Sequence, residues 1–359
     1  MNKKRIVAAI LSVAVVATLF TGCTKKEAGQ TPSTGKKVKI GLTTDEGGLN
    51  DKSFNQSANE GILKAKKDLG VEYKALESTK KEDYQSNLDA LVNTNCDLSF
   101  AVGFQMESAM KEMAKKYTNK KFAIIDSVVD APNVASITFK EQEGSFLMGI
   151  IAGKSTASNK VGFIGGKDFE LINRFEAGYA AGVKAVNPAA AENLINRKYV
   201  KYADSFADVN KGYELANALI NEGCDVIYHA AGGVGEGMFK AVKEANDKGK
   251  KVWAIGVDKD QAAALPTYAP YILSSMMKRV DTATYTTVKD VVDGNFPGGK
   301  VVNLGLKEQG VGYAPTTNKN TKADVITLVD KYSKAVVEGK IVVPTKHTDV
   351  ATFQAAKVE

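Results

Sequence analysis

Residues 91 to 126, LVNTNCDLSFAVGFQMESAMKEMAKKYTNKKFAIID, and residues 219 to 258, LINEGCDVIYHAAGGVGEGMFKAVKEANDKGKKVWAIGVD, carry one pattern twice. Each runs from a helix end through Cys-Asp, an apolar strand, a glycine turn, a Lys-rich amphipathic helix and a second apolar strand to a single aspartate, Asp126 or Asp258. The alternation of short apolar runs with helical periodicity predicts two parallel βαβ units. In an open parallel sheet, ligands bind beyond the carboxyl ends of the strands. Both aspartates fall there, so the duplication predicts two facing rims with a ligand between them.

The repeat extends upstream. Short β-rich runs at Val38–Gly41 and Val161–Phe163 open the two halves, and counting from Gly41 and Gly162 places Phe54 and Phe175 both at offset 13 and Gly61 and Gly182 both at offset 20. A chain of 359 residues with 44% hydrophobic and 25% charged residues has material for two ordinary α/β cores.

The first residues read as a targeting segment. Lys3, Lys4 and Arg5 precede an apolar run from Ile6 to Phe20 that is too short for a comfortable membrane span, and the run ends in Leu19-Phe20-Thr21-Gly22-Cys23. This resembles a bacterial lipoprotein signal, which implies a signal peptide over 1–22, lipidation of Cys23, a tether over 23–37 and a place on the outer face of the cytoplasmic membrane. Residues 24–37 are polar and without apolar periodicity, as a flexible tether would be. Loss of Lys3, Lys4 and Arg5 with the signal takes the formal charge from +7 to +4, which gives little support for nucleic-acid binding. Cys96 and Cys224 occupy equivalent places in opposite halves and are expected as small buried apolar residues rather than a disulfide.

Catalytic and metal chemistry find little to work with. The chain has two histidines, His229 and His347, and no nucleophile, acid and base fall into a recognisable set. Gly149-Ile-Ile-Ala-Gly153-Lys154-Ser155 is one residue short of a phosphate loop and lies in an apolar stretch, so a packed helix is the better reading. The glycine-rich turn from Gly232 to Gly237 could cradle an anion or let a ligand approach the backbone. The richest candidate is the first strand-to-helix loop, Thr44 to Gln56. It holds Asp45, Asn50, Asp51, Phe54, Asn55 and Gln56, with Asn50 or Asp51 able to cap the next helix and Phe54 in its first turn. An aromatic face beside amides and carboxylates suits a ligand that is flat on one side and hydroxylated on the other.

Three motifs in order, Asp45 to Gly61, Cys224 to Gly233 and Ser274 to Asp281, together resemble the basic membrane protein family. Its members are lipoprotein substrate-binding components of ABC importers, including the purine nucleoside receptor A type. The resemblance runs from about Val38 to the end of the chain, with Asn50 where many members have aspartate and Tyr228 where many have phenylalanine. It implies an α/β type I periplasmic-binding-protein fold, two Rossmann-like lobes joined by hinge crossovers, closing on a nucleoside without a cofactor or catalysis. Phe54 is then expected to stack on the base from the first lobe, with Phe206 or, failing it, Tyr228 covering the other face. Asp126 and Asp258 match the family's strand-end aspartates, with ribose hydroxyls assigned mainly to Asp258, and Lys278 is expected at a base nitrogen or carbonyl. The expected partners are a small nucleoside, an ABC permease and the membrane through the lipid anchor, with the protein itself a monomer that binds no nucleic acid. A binder of a sugar or autoinducer, and less strongly a nucleoside-acting enzyme, are the competing readings.

Lobe boundaries are expected at 38–140 plus roughly 266–305 for the first lobe and 141–265 plus roughly 306–359 for the second, with crossings near 140, 265 and 305. Toward the carboxyl end, helices are expected over 282–292 and 322–338, and strands over 300–306 and 341–344.

Overall fold

The computed structural model describes residues 37–358; the signal segment, Cys23 and the tether through Lys36 lie outside them. Strands β1 (Lys39–Thr44), β2 (Glu72–Leu76), β3 (Leu98–Val102), β4 (Lys121–Ile125) and β5 (Val134–Phe139) alternate with helices α1 (Phe54–Leu69), α2 (Asp83–Asn93) and α3 (Glu107–Lys116). A second series follows: α4 (Glu141–Ser155), β6 (Val161–Gly165), α5 (Glu170–Val186), α6 (Pro188–Ile195), β7 (Val200–Tyr202), α7 (Val209–Asn221), β8 (Val226–Ala230), α8 (Val234–Asp247), β9 (Trp253–Asp258), α9 (Gln261–Ala264) and β10 (Ile272–Lys278). The chain closes with α10 (Val280–Val292), β11 (Val301–Leu304), β12 (Val311–Tyr313), α11 (Ala323–Val337) and α12 (His347–Val350).

The strands form two sheets of matching order, β2-β1-β3-β4-β5-β11 and β7-β6-β8-β9-β10-β12. The duplicated sequence pattern is thus a duplicated topology. Pairing is parallel throughout except for β12, which runs antiparallel to β10. Every residue of β3 and of β8 is buried, as expected for central strands covered by helices on both faces. The helices supply that cover with one apolar face each: α8 turns Val234, Met238, Phe239 and Val242 inward. Cys96 and Cys224 are free and buried, each 2% exposed.

The near phosphate-loop sequence is a helix, and its glycines serve packing. A Cβ on Gly149 would stand 2.2 Å from the Tyr179 carbonyl oxygen, and one on Gly182 would stand 2.0 Å from that of Phe146. Only glycine lets α4 and α5 approach this closely.

The chain passes between the sheets three times. It leaves the first after β5 to enter α4, returns after β10 to enter α10, and leaves again between β11 and β12. The return lies at Lys278–Val280 rather than near 265, so residues 266–278 stay with the second lobe. The cause is pairing: Ile272 to Met277 align beside Ala254 to Asp258 and fill the slot next to β9. Only then does α10 dock on α1, where a Cβ on Gly61 would stand 2.0 Å from the Asp281 carbonyl oxygen. The strand expected over 341–344 does not form either. Ile341 and Val343 are buried while Val342 is 81% exposed, so the alternation describes an extended segment laid on the core without a sheet partner.

Candidate functional site

The carboxyl ends of both sheets border one cleft, which with its open mouth encloses about 490 Å³ of empty space. From the first lobe it is lined by Asp45, Asp51, Phe54, Asn55, Phe104 and Asp126. From the second come Phe175, Phe206, Gly232, Asp258 and Lys278, over an apolar floor that includes Leu171, Ile172 and Val257.

The first loop is held by its own carboxylates. Asp51 accepts backbone N–H bonds from Ser53 (2.9 Å), Asn55 (2.9 Å) and Gln56 (3.0 Å), occupying donors that the start of α1 leaves free. The Asn55 amide then donates to Asp45 Oδ1 at 2.7 Å and to Asp51 Oδ2 at 3.1 Å. The loop therefore presents Phe54 from a fixed base. Burial pushes the Asp45 carboxyl up to about 6 against the opposing bonds from Asn55 and Gly47.

Across the cleft, Phe206 follows β7 and its ring occupies space that only glycine leaves open: a Cβ on Gly166 would fall 2.1 Å from the ring. Phe54 and Phe206 are both half-buried.

The polar end of the cleft centres on Lys278, the last residue of β10. Its ammonium lies 2.6 Å from Asp126 Oδ2 and 3.2 Å from Glu141 Oε1, and within 5.0–5.5 Å of the ring centres of Phe139, Phe54 and Phe175. Burial opposes its charge, but Asp126, Glu141 and Asp258 outweigh that and hold the ammonium above its usual pKa. Burial raises Asp126 and Glu141, with Lys278 opposing in each case. Asp258 is pushed up to about 7 by burial, opposed by Lys278 and by a hydrogen bond from the Ser53 hydroxyl of the other lobe. Asp126 Oδ1 is buried and has no hydrogen-bond partner among the described residues.

Of the residues singled out in the sequence, Asp45, Asp51, Phe54, Asn55, Asp126, Phe206, Gly232, Asp258 and Lys278 converge on this cleft. Asn50, Gln56 and Tyr228 do not. Asn50 is exposed at the turn, and Gln56 points along α1 to Glu60 at 3.0 Å. Tyr228 is fully buried between Phe163 and Tyr179, with its hydroxyl 3.0 Å from that of Ser145. It is a core residue because its side of β8 faces α4 and α5. Lys278 lines the cleft with its ammonium engaged by Asp126 and Glu141.

Sequence reading passed over Phe175, Phe104 and Glu141. Phe175 had a signal, its equivalence to Phe54 at offset 13. Phe104 opens the short turn after β3 and had none beyond its place at a strand end.

What the cleft does chemically follows from this set. Four carboxylates and one lysine line it, with aromatic rings from both lobes. That composition favours a flat molecule rich in hydrogen-bond donors and disfavours a phosphate.

Comparison with known proteins agrees with the fold and extends it. The family model for PnrA-like ABC transporter substrate-binding proteins, Bmp, matches residues 37–346. The chain is 37% identical to the ABC transporter nucleoside-binding protein BmpA of Lactococcus lactis subsp. cremoris, over 96% of this chain and 100% of that one. It is 38% identical to an uncharacterised lipoprotein of Pyrococcus abyssi, over 85% of this chain and 74% of that one. The crystal structure of an ABC transporter solute-binding protein from Aeropyrum pernix superposes with a TM-score of 0.77 at 31% identity, covering 88% of this chain and 96% of the other. The two lobes are those of the type I periplasmic-binding-protein fold, and the family's role is binding rather than catalysis. With its motifs, its duplicated topology and its interlobe cleft in agreement, the chain belongs to the Bmp family of PnrA-like ABC transporter substrate-binding proteins.

Proposed function

We propose that the protein binds a purine nucleoside between its lobes and delivers it to an ABC permease. The observation that carries this reading is the make-up of the cleft: half-buried Phe54 and Phe206 on opposite lobes, beside Asp126, Asp258 and a single lysine. Two stacking faces suit a base, and adjacent carboxylates suit the paired hydroxyls of a ribose. Base-on-aromatic stacking contributes about 1–3 kcal/mol per face, and each hydrogen bond to a charged acceptor about 1.5–3 kcal/mol. Two of each give roughly 5–12 kcal/mol before ordering costs, which spans the ~8 kcal/mol of a micromolar complex. The excess of carboxylates sets a nucleoside above a nucleotide. Its relative from Lactococcus lactis, named as nucleoside-binding, supports the same ligand class.

In this reading Asp258 and Asp126 accept from the sugar, and Lys278 serves first to hold Asp126 in place. Asp45 and Asn55 face the edge of the base. Ligand bridging both rims stabilises the closed arrangement, and that shape is what a permease distinguishes. No helix among the described residues is long and apolar enough to cross a membrane. We place the protein on the outer face of the cytoplasmic membrane through a lipid on Cys23, supported by the signal-like sequence before it and by lipoprotein relatives.

Calorimetric titration tests the ligand. Inosine, adenosine, hypoxanthine, inosine monophosphate and glucose are titrated in turn, with a purine nucleoside expected to bind tightest. Saturable binding of glucose with none for either nucleoside would favour the sugar-binder reading instead.

A further inference from the structure

A group of contacts beside the cleft joins the two lobes. Phe104, of the first lobe, lies face to face on Phe169 of the second, with ring centres 4.5 Å apart and planes within 9°. Phe104 also meets Phe206 edge-on at 6.2 Å. A relay of three rings therefore runs from the outer surface to one wall of the cleft.

Beside it, Lys167 of the second lobe pairs with Glu46 of the first at 2.6 Å and donates to Gln105 Oε1 at 3.1 Å. The same ammonium lies 5.9 Å from the ring centre of Phe206. Lys167 and Glu46 are only 21% and 22% exposed, so their attraction is less screened than that of a surface pair. Phe169 is 49% exposed and does not line the cleft. The flat contact with Phe104 is the only ring contact Phe169 makes among the described residues.

We propose that Phe169 is a positioning residue for the binding site: with Lys167 it fastens Phe104 over the mouth, seats Phe206 against the ligand, and so sets how long ligand is retained. Both contacts cross from lobe to lobe, so they exist only when the lobes are closed. They add nothing to the encounter of ligand with the open protein and must break before it leaves. Their effect belongs in the dissociation rate, and it should be alike for every ligand that fits the cleft. The retention part of the proposal rests on the nucleoside reading; the closure part does not.

The test uses Phe169→Ala and Phe169→Tyr in the full chain. Stopped-flow kinetics with inosine are expected to show dissociation roughly three- to tenfold faster for Phe169→Ala, the scale of one lost aromatic pair, with association not slowed. Phe169→Tyr keeps the stacked ring and should dissociate like wild type. Small-angle scattering without ligand should show a larger radius of gyration for Phe169→Ala than for wild type. Wild-type dissociation from Phe169→Ala, or a loss confined to association, would overturn the positioning role. If wild type fails to bind inosine, the nucleoside reading fails; scattering then decides the rest, and identical radii of gyration for wild type and Phe169→Ala would overturn the closure part.

Discussion

Asp126 and Asp258 stand at equivalent strand ends of the two sheets in the same left-handed backbone conformation, with φ of +70° and +66°. Non-glycine residues rarely adopt it, and where they do the surroundings must hold them there. Here the conformation turns each carboxylate into the cleft: Asp126 meets Lys278, and Asp258 meets Ser53 from the opposite lobe. The duplication thus places one carboxylate on each rim by the same local geometry.

Asp258 is buried as an acid with its pKa raised from 3.8 to about 7. Between those values the folded protein holds a proton that the unfolded chain has released, so Asp258 lowers stability as pH rises through this window and the loss is complete above it. Asp258→Asn removes the effect. Its melting temperature without ligand should exceed that of wild type at pH 8, with the gap closing toward pH 4. A gap independent of pH would assign Asp258 no such role. The same variant should bind inosine more weakly by about 1.5–3 kcal/mol, the scale of a charged hydrogen bond, with a smaller loss for hypoxanthine.

Phe54 and Phe206 should behave as contact residues and Tyr228 as a core residue. Phe54→Ala and Phe206→Ala are each expected to weaken nucleoside binding by about 1–3 kcal/mol, with melting of the unliganded protein little changed. Tyr228→Ala should cost about 3–5 kcal/mol of stability, as large-to-small core substitutions do. Calorimetry and thermal melts on the three variants separate the classes. Wild-type affinity for Phe54→Ala would remove the first-lobe half of the clamp.

Much of this was legible because the chain is duplicated. The repeat of strand, glycine turn, helix and strand carried the paired parallel βαβ units, and the terminal aspartate of each copy carried the cleft. Tyr228 was not legible for a physical reason: all of β8 is buried, so no alternation of polar and apolar residues shows which side of the strand faces the ligand. Asn50 and Asp51 are chemically similar neighbours, and only the fold shows that one meets solvent while the other caps α1. The grouping of Lys278 with Asp126 and Glu141 joins residues far apart in the chain, which no local spacing encodes. The second crossing was misplaced because long-range pairing beside β9, which no local feature of residues 272–278 encodes, decides which sheet receives them.

The contact between α4 and α5 predicts a defect of stability alone. Gly182→Ala forces a methyl group against the Phe146 carbonyl, 2.0 Å from the ideal Cβ position. Overpacking of this kind costs about 1–3 kcal/mol. Denaturant unfolding should show that loss, while inosine affinity of the folded protein stays at the wild-type value. An unchanged unfolding midpoint would mean the helices separate at little cost.

Cys23→Ala should move the protein from the membrane fraction to the soluble fraction. A diacylglyceryl anchor supplies two chains, enough for firm attachment where a single chain is marginal. Fractionation with immunodetection measures it, and a variant as membrane-bound as wild type after loss of the signal would contradict the lipid anchor.

A purine nucleoside held between the lobes would travel with the protein through purification, so the bound molecule itself can be identified. Protein purified without added ligand is denatured, and the released small molecules are identified by mass spectrometry against a parallel preparation of Asp258→Ala. A purine nucleoside is expected in near-stoichiometric amount from wild type and much less from the variant. A sugar or other non-nucleoside released stoichiometrically from wild type would contradict it.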